Sequence, residues 1–166
     1  MKRFLHRHQS AIAPAAALRA GIGGSVAIAL LMALAHASGQ PWLMAPFGAS
    51  CVLLFSAPTS PLSQPSNLVG GHLVATTIGL IAAHWLPATA WTMPVVVGLA
   101  IAAMAALRLT HPPAGATPLV VMLTQAGWDF LLFPVALGSV VLVAVAWAAH
   151  RLPGGPRYPL PRPPAG

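Results

Sequence analysis

The chain has 166 residues, of which 57% are hydrophobic and only 5% are charged, and its formal net charge is +7. Soluble domains carry about a quarter charged residues, so these charges are too few to cover a water-soluble fold. The composition therefore indicates an integral membrane protein surrounded by the lipid bilayer. A single cysteine excludes an internal disulfide, and a single acid, Asp129, argues against carboxylate-pair catalysis, so we expect neither enzyme activity nor a cofactor.

The basic residues lie mostly at the two ends of the chain, outside the apolar stretches. Those before the first stretch and after the last are Lys2, Arg3, Arg7, Arg19, Arg151, Arg157 and Arg162. Such a distribution follows the positive-inside rule and gives no reason to expect a nucleic-acid partner. It predicts a multi-pass protein of the cell inner (plasma) membrane with both termini in the cytoplasm.

Apolar stretches of two lengths occur along the chain. Four approach the roughly 20 residues needed to span a bilayer, and they cover residues 20–38, 68–86, 93–109 and 130–150. Two shorter ones, 47–55 and 113–123, are interrupted by proline and glycine and are predicted to be broken or re-entrant helices. The predicted fold is all-α, with four main transmembrane helices and two short ones.

The predicted domain organisation has three parts. Residues 1–18 form a basic cytoplasmic arm, 19–150 the transmembrane domain, and 151–166 a proline-rich cytoplasmic tail expected to be disordered or extended. The first apolar run followed by "AHAS" resembles a cleavable signal peptide. That run is long for such a peptide and takes part in the repeat described next, which favours its retention.

An internal repeat relates the two short segments. An offset of 67 residues aligns "PFGASCVLL" (46–54) with "PAGATPLVV" (113–121) and divides the domain into halves of about 19–86 and 87–150. If the short segments are re-entrant, four spans result and the halves run parallel. If they cross, the protein has six crossings in inverted 3+3 repeats, and Arg108 lies on the cytoplasmic side. The sequence leaves both topologies open.

Three phrases in this order resemble the HPP family of membrane proteins. They are "APFGASCVLLF" (45–55), "SPLSQPSNLVGGHL" (60–73) and "THPPAGAT" (110–117), and the resemblance extends over about 19–150. It implies a four-helix transmembrane region, and some members of that family are implicated in nitrite transport. It identifies the fold more firmly than the substrate.

The short segments carry the candidate site. Proline suits the first turn of a helix, and the free amides of such a turn, with the positive end of the helix dipole, favour an anion. The candidate substrate or pathway residues are Gly48, Ala49, Ser50, His72, Arg108, His111, Gly115, Ala116 and Thr117. Residues expected to support them structurally are Pro46, Asn67, Gly71, Pro112 and Pro113.

Each of these residues also has a purely structural interpretation. The small residues can serve close helix packing alone, as glycine and alanine commonly do in membranes. His72 is either a proton carrier or a neutral histidine bonded to a carbonyl or to Asn67, while Asn67 itself is expected to cap the second span. His111 is either a ligand contact or a cap, and since the two histidines lack a third ligand, no metal site is expected.

These observations predict a permease or channel for a small inorganic anion, with nitrite as the leading candidate. The alternatives are a transporter or channel for a neutral small solute, and a ligand-binding sensor or structural module that transports nothing. Faces rich in glycine and alanine favour a homodimer or a higher oligomer, and the residues concerned are Gly21, Gly23, Gly24, Gly98 and Ala102.

Overall fold

The computed structural model describes residues 5–7 and 10–161, so Lys2, Arg3, His8 and Arg162 lie outside the described residues. The described part of the chain is helical and contains no strand. Its α-helices are α1 (Pro14–Ser38), α2 (Pro46–Ser56), α3 (Pro65–Trp85), α4 (Thr92–Ala106), α5 (Thr117–Thr124) and α6 (Leu137–His150). The expectation of an all-α, polytopic membrane protein is confirmed.

Short turns precede two of the helices. A 3-10 turn, Pro112–Ala116, leads into α5, and a 3-10 turn, Trp128–Leu131, followed by Leu132–Ala136, a stretch kinked at the non-helical Phe133, leads into α6. Within the described residues, three segments are long and apolar enough to cross a bilayer by themselves: Pro14–Ser38, Pro65–Trp85 and Trp128–His150. Helix α2 exceeds the expected 47–55 by one residue at each end, whereas the second expected segment, 113–123, is divided between the 3-10 turn and α5.

Proline and left-handed residues set several helix boundaries. The first turns of α1, α2 and α3 contain Pro14, Pro46 and Pro65, where the missing amide hydrogen costs no helical bond. Helix α4 ends at Ala106, earlier than the predicted 109, because the chain turns away at Arg108, whose φ is +58°.

Contacts within the first half show the direction of each passage. We call the end of the bundle where α1 begins the Arg19 end, and the opposite end the Trp85 end. The chain leaves α1 at the Trp85 end, where the Trp42 indole donates to Ser38. Helix α2 then runs back, because Phe55 near its C-terminus packs against Gly23 in the first half of α1. Helix α3 starts at the Arg19 end and returns to the Trp85 end.

The second half runs in the opposite sense. Helix α4 starts at the Trp85 end and descends until Met104 and Leu109 lie against Gly71, early in α3. The second short segment then ascends beside α3, with Pro118 and Val121 against Gly79. Helix α6 descends again to the Arg19 end, where His150 donates from Nε2 to the carbonyl oxygen of Leu54.

Both short segments therefore continue from one end of the bundle to the other and do not turn back. Of the two topologies left open by the sequence, the contacts fit six passages with inverted 3+3 halves. An offset of 67 residues carries α2 onto 113–123, within the turn and helix that span 112–124. Arg108 lies at the Arg19 end, where its carbonyl oxygen is 3.5 Å from the Asn67 side-chain amide.

The C-terminal tail, which was expected to be disordered or extended, packs against the bundle as far as the structure describes it. Tyr158 is buried, and its hydroxyl donates to the carbonyl oxygen of Ser63 at 3.2 Å. The amide of Leu160 donates to the side-chain oxygen of Gln64 at 2.8 Å. The tail therefore closes over the turn that links α2 to α3.

Candidate functional site

A chain of hydrogen-bonded polar side chains lies in the apolar interior and joins the two short helices. The hydroxyl oxygen of Ser50 is 3.0 Å from Nε2 of His72 and 2.9 Å from Nε2 of His111. The other ring nitrogen of His72, Nδ1, is 3.0 Å from the hydroxyl oxygen of Thr117. All four side chains are 0% exposed. We call these four residues the histidine chain.

Each residue of the histidine chain comes from a different segment. Ser50 lies in the middle of α2, His72 in the second turn of α3, His111 just before the 3-10 turn, and Thr117 at the first position of α5. With a rise of 1.5 Å per residue, His72 is about 10 Å from the start of α3. The histidine chain therefore lies well inside the apolar bundle and not at its surface.

The break between α4 and the second short segment places His111. Its Nδ1 is 2.8 Å from the carbonyl oxygen of Leu62, in the turn before α3. A Cβ on Gly71 would lie 2.8 Å from the Leu109 carbonyl oxygen and 2.8 Å from the Cβ of His111. Only a glycine at position 71 lets the broken backbone approach α3 this closely.

Asn67 binds the backbone of the same broken segment, although it was expected to cap the second span. Its side-chain amide donates to the carbonyl oxygen of Thr110 at 3.0 Å. The capping position of α3 is occupied by Gln64, without a side-chain cap bond. Asn67 therefore does not cap the span, because its amide is committed to carbonyl oxygens of the broken segment.

A second group of predicted pathway residues lines an apolar groove between the two short helices. The groove has a volume of about 750 Å³. Five residue pairs related by the 67-residue offset line it together with Leu123: Ala45 and Pro112, Pro46 and Pro113, Ala49 and Ala116, Val52 and Leu119, and Leu53 and Val120. The proline and alanine pairs thus lie in the groove, while the histidine chain lies deeper in the bundle.

In the described residues, the other three predicted pathway residues, Gly48, Arg108 and Gly115, form no hydrogen bond with the histidine chain. Arg108 is exposed, and a Cβ placed on Gly48 or on Gly115 would meet nothing within 4 Å. The structure therefore brings together Ser50, His72, His111 and Thr117 out of the nine residues predicted to bind substrate or line a pathway.

Several amides expected to be free are paired. The amide of Phe47 donates to the carbonyl oxygen of Met44 at 3.0 Å, and the amide of Gly48 donates to the carbonyl oxygen of Ala45 at 3.1 Å. In the second segment, the amide of Ala114 donates to the carbonyl oxygen of His111 at 2.9 Å. These backbone hydrogen bonds use amide hydrogens that we had expected to bind an anion. The polar groups that remain in the interior are therefore mainly side chains.

Three further polar groups were not predicted from the sequence. The Leu62 carbonyl is a backbone group and leaves no trace in the residue type. Thr76 and Ser139 are fully buried, and within the described part of the chain their hydroxyls have no hydrogen-bond partner. Position gives a signal for both, because Thr76 lies one helical turn after His72 and Ser139 lies 67 residues after it.

Three helices long enough to span a bilayer, with shorter apolar helices beside them in the described residues, define a polytopic membrane protein. The model of the family described as "HPP, transmembrane region" matches residues 9–159, and the chain belongs to this family. Two proteins of Dictyostelium discoideum, each named only as a transmembrane protein, are 36% and 32% identical to it. These matches cover 72% and 71% of this chain but 41% and 44% of the relatives, so the chain spans less than half of their length. No solved structure matches the chain.

Proposed function

We propose that this protein is a permease for a small inorganic anion, with nitrite as the leading candidate. The observation that supports it is the histidine chain, which places two imidazoles and two hydroxyls inside a largely apolar bundle. Polar and ionisable groups are expensive within a membrane, and where they occur they mark substrate or ion pathways. The histidine chain also joins the two repeat halves, which is where the sites of transporters built from repeats are found.

The charge distribution supports an anion as the substrate. Asp129 is the sole acid in the sequence, and it is exposed near the Trp85 end. Arg19, Arg108 and Arg151 lie at the Arg19 end, where their positive potential raises the local concentration of anions. Imidazole N–H and hydroxyl groups are suitable donors for a small anion, and they replace the helix amides as the proposed binding groups.

We also propose an orientation and an assembly. The positive-inside rule assigns the Arg19 end to the cytoplasm, in the inner (plasma) membrane, with both termini inside. A homodimer or a higher oligomer is proposed through the outward faces of α1 and α4. A Cβ on Gly21 or on Gly98 would meet nothing within 4 Å, whereas Gly23 is already packed against Phe55.

The transport proposal is tested with purified protein in liposomes by following the entry of nitrite, nitrate, formate and chloride. We expect nitrite entry above that of empty liposomes and a loss of about tenfold or more in His72→Ala, because this change removes both buried hydrogen bonds of the imidazole. His84→Ala is the matched control, since His84 is exposed at the end of the same helix. Absence of flux for all four anions contradicts the permease. Flux of urea without anion flux supports the neutral-solute alternative, and nitrite binding without flux supports a sensor.

A further inference from the structure

The hydrogen bonds of the histidine chain all point in one direction. The carbonyl oxygen of Leu62 can only accept, so the hydrogen of His111 is on Nδ1 and its Nε2 accepts from the Ser50 hydroxyl. Having given its hydrogen to His111, the Ser50 oxygen accepts from Nε2–H of His72. Nδ1 of His72 then accepts from the Thr117 hydroxyl. The tautomers of both histidines are fixed by one backbone carbonyl.

The competing acceptor for the Ser50 hydrogen is weaker. The carbonyl oxygen of Pro46 lies 3.3 Å from the Ser50 hydroxyl oxygen, compared with 2.9 Å for Nε2 of His111. In the direction given above, both imidazoles are neutral and all four of their ring nitrogens are bonded. The ring nitrogens and hydroxyls of the histidine chain therefore all have hydrogen-bond partners without any of these side chains being charged.

An additional proton in the histidine chain would lack a negative partner within the protein. The ionisable groups on the elements packed against α3 are the Cys51 thiol on α2, His150 on α6, Arg108 beside the break, and Asp129 in the turn before α6; α3 itself adds His84 at its end. Among them Asp129 alone is an acid, and it is exposed near the Trp85 end. A lone imidazolium at this depth is therefore costly, because no carboxylate is within the interior to offset it.

We propose that the histidine chain binds one proton and one monovalent anion together, so that transport is electroneutral with a stoichiometry of one to one. This inference rests on the proposed anion permease. The anion supplies the negative charge that the protein lacks, and the proton neutralises an anion that would be equally costly alone in the apolar bundle. Each transport cycle moves one proton and one anion in the same direction, so no net charge crosses the membrane.

The geometry assigns the proton to Nδ1 of His72. This nitrogen has no hydrogen in the neutral histidine chain, where it accepts a hydrogen bond from the Thr117 hydroxyl. When a proton from the aqueous phase binds there, Nδ1–H becomes a donor and the Thr117 hydroxyl turns its hydrogen away. That hydrogen and the unpartnered hydroxyl of Thr76, one turn further along α3, are then available to the anion. Release of the anion and of the proton restores the neutral histidine chain.

The test measures proton and charge movement with nitrite in the same liposomes. An internal pH dye follows proton entry, and potassium with valinomycin sets the membrane potential. We expect one proton to enter per nitrite, at a rate independent of an imposed potential. Nitrite flux that carries current, or that proceeds without proton entry, overturns the coupling and leaves the permease intact. Absence of nitrite flux overturns both the permease and the coupling.

A second measurement does not depend on transport. NMR of the histidine ring nitrogens in labelled protein should show one neutral ring protonated on Nε2 (His72) and one protonated on Nδ1 (His111). Thr117→Val should lower coupled entry about tenfold by removing one hydrogen bond, and Thr117→Ser should restore it. If Thr117→Val carries nitrite and protons at the wild-type rate, or if both histidines carry the same tautomer, the assignment to Nδ1 of His72 is wrong.

Discussion

The hydroxyls of Ser50 and Thr117 bind the two opposite nitrogens of one imidazole, that of His72, at 3.0 Å each. Ser50 and Thr117 are 67 residues apart and occupy equivalent positions in the two short segments. One histidine of the first half is thus held between corresponding residues of both halves. No equivalent histidine exists in the second half, where position 139 is a buried serine. The repeat is symmetric in its backbone and asymmetric in its chemistry.

Removing the Ser50 hydroxyl should destabilise the fold more than removing the Thr117 hydroxyl. Ser50→Ala removes the hydroxyl that bridges the two histidines. It leaves a buried donor (Nε2–H of His72) and a buried acceptor (Nε2 of His111) unpaired, at a cost of about 1–3 kcal/mol each. Thr117→Val leaves a single acceptor unpaired, Nδ1 of His72. Thermal unfolding in detergent measures both effects, and Ser25→Ala, an exposed change on α1, is the control. Equal midpoints for Ser50→Ala and Ser25→Ala would show that the histidine chain contributes little to stability.

Gly71→Ala should disturb the fold, and Gly98→Ala should not. The new Cβ at position 71 meets the backbone oxygen of Leu109 at 2.8 Å, so the break must move away from α3 at a cost of about 1–3 kcal/mol. A Cβ at position 98 meets nothing within 4 Å, and alanine is the better helix former by about 0.5–1 kcal/mol. Unfolding midpoints of the two variants provide the comparison. A Gly71→Ala protein as stable as the wild type would contradict the close packing of the break.

The six-passage topology predicts which loops share a side of the membrane. Single cysteines replace Ile12, Thr59 and Ala88, all exposed, while the native Cys51 is buried and serves as the background. A thiol reagent that does not cross membranes should label Ile12→Cys and Thr59→Cys from the same side and Ala88→Cys from the other. If α2 were re-entrant, Thr59→Cys would be labelled from the side opposite to Ile12→Cys.

The all-α fold and four of the buried polar residues, Ser50, His72, His111 and Thr117, could be predicted from the sequence. Proline and glycine placed α2 to within one residue at each end, and ionisable side chains in an apolar chain singled out His72 and His111. What joins them could not be predicted, because the Leu62 carbonyl belongs to the backbone and the meeting of Ser50 with both histidines depends on packing of three segments. The free amides were wrongly assigned because the first turns adopt 3-10 geometry.

Tyr158 should remain un-ionised at a pH where a free tyrosine has lost its proton. Burial raises the pKa of Tyr158 above its ordinary value, which is about 10. The neutral phenol therefore stabilises the docked tail below pH about 10, and this contribution is lost as the pH rises through the raised pKa. Tyr158 is the single tyrosine of the chain, so the ultraviolet absorbance of tyrosinate reports this group alone. We expect a midpoint above 10 in the folded protein, and one near 10 after denaturation or in a loosened Gln64→Ala variant. A midpoint near 10 in the folded protein would mean that the tail is undocked.

Arg108 combines an unfavourable backbone with a charge close to the proposed pathway, and two substitutions separate these contributions. Its φ of +58° lies in the left-handed region, which costs a residue with a side chain about 1–2 kcal/mol and costs glycine almost nothing. Arg108→Gly should therefore raise the unfolding midpoint, while Arg108→Lys should leave it unchanged.

Nitrite entry into liposomes then reports the charge at position 108. If the positive potential of Arg108 concentrates the anion, Arg108→Gly lowers the rate at low salt and Arg108→Lys preserves it, and the difference shrinks as added salt screens the charge. Equal rates for Arg108→Gly and Arg108→Lys at low salt would remove Arg108 from the pathway. A lower midpoint for Arg108→Gly would instead show that contacts of the arginine side chain outweigh the strain of its backbone.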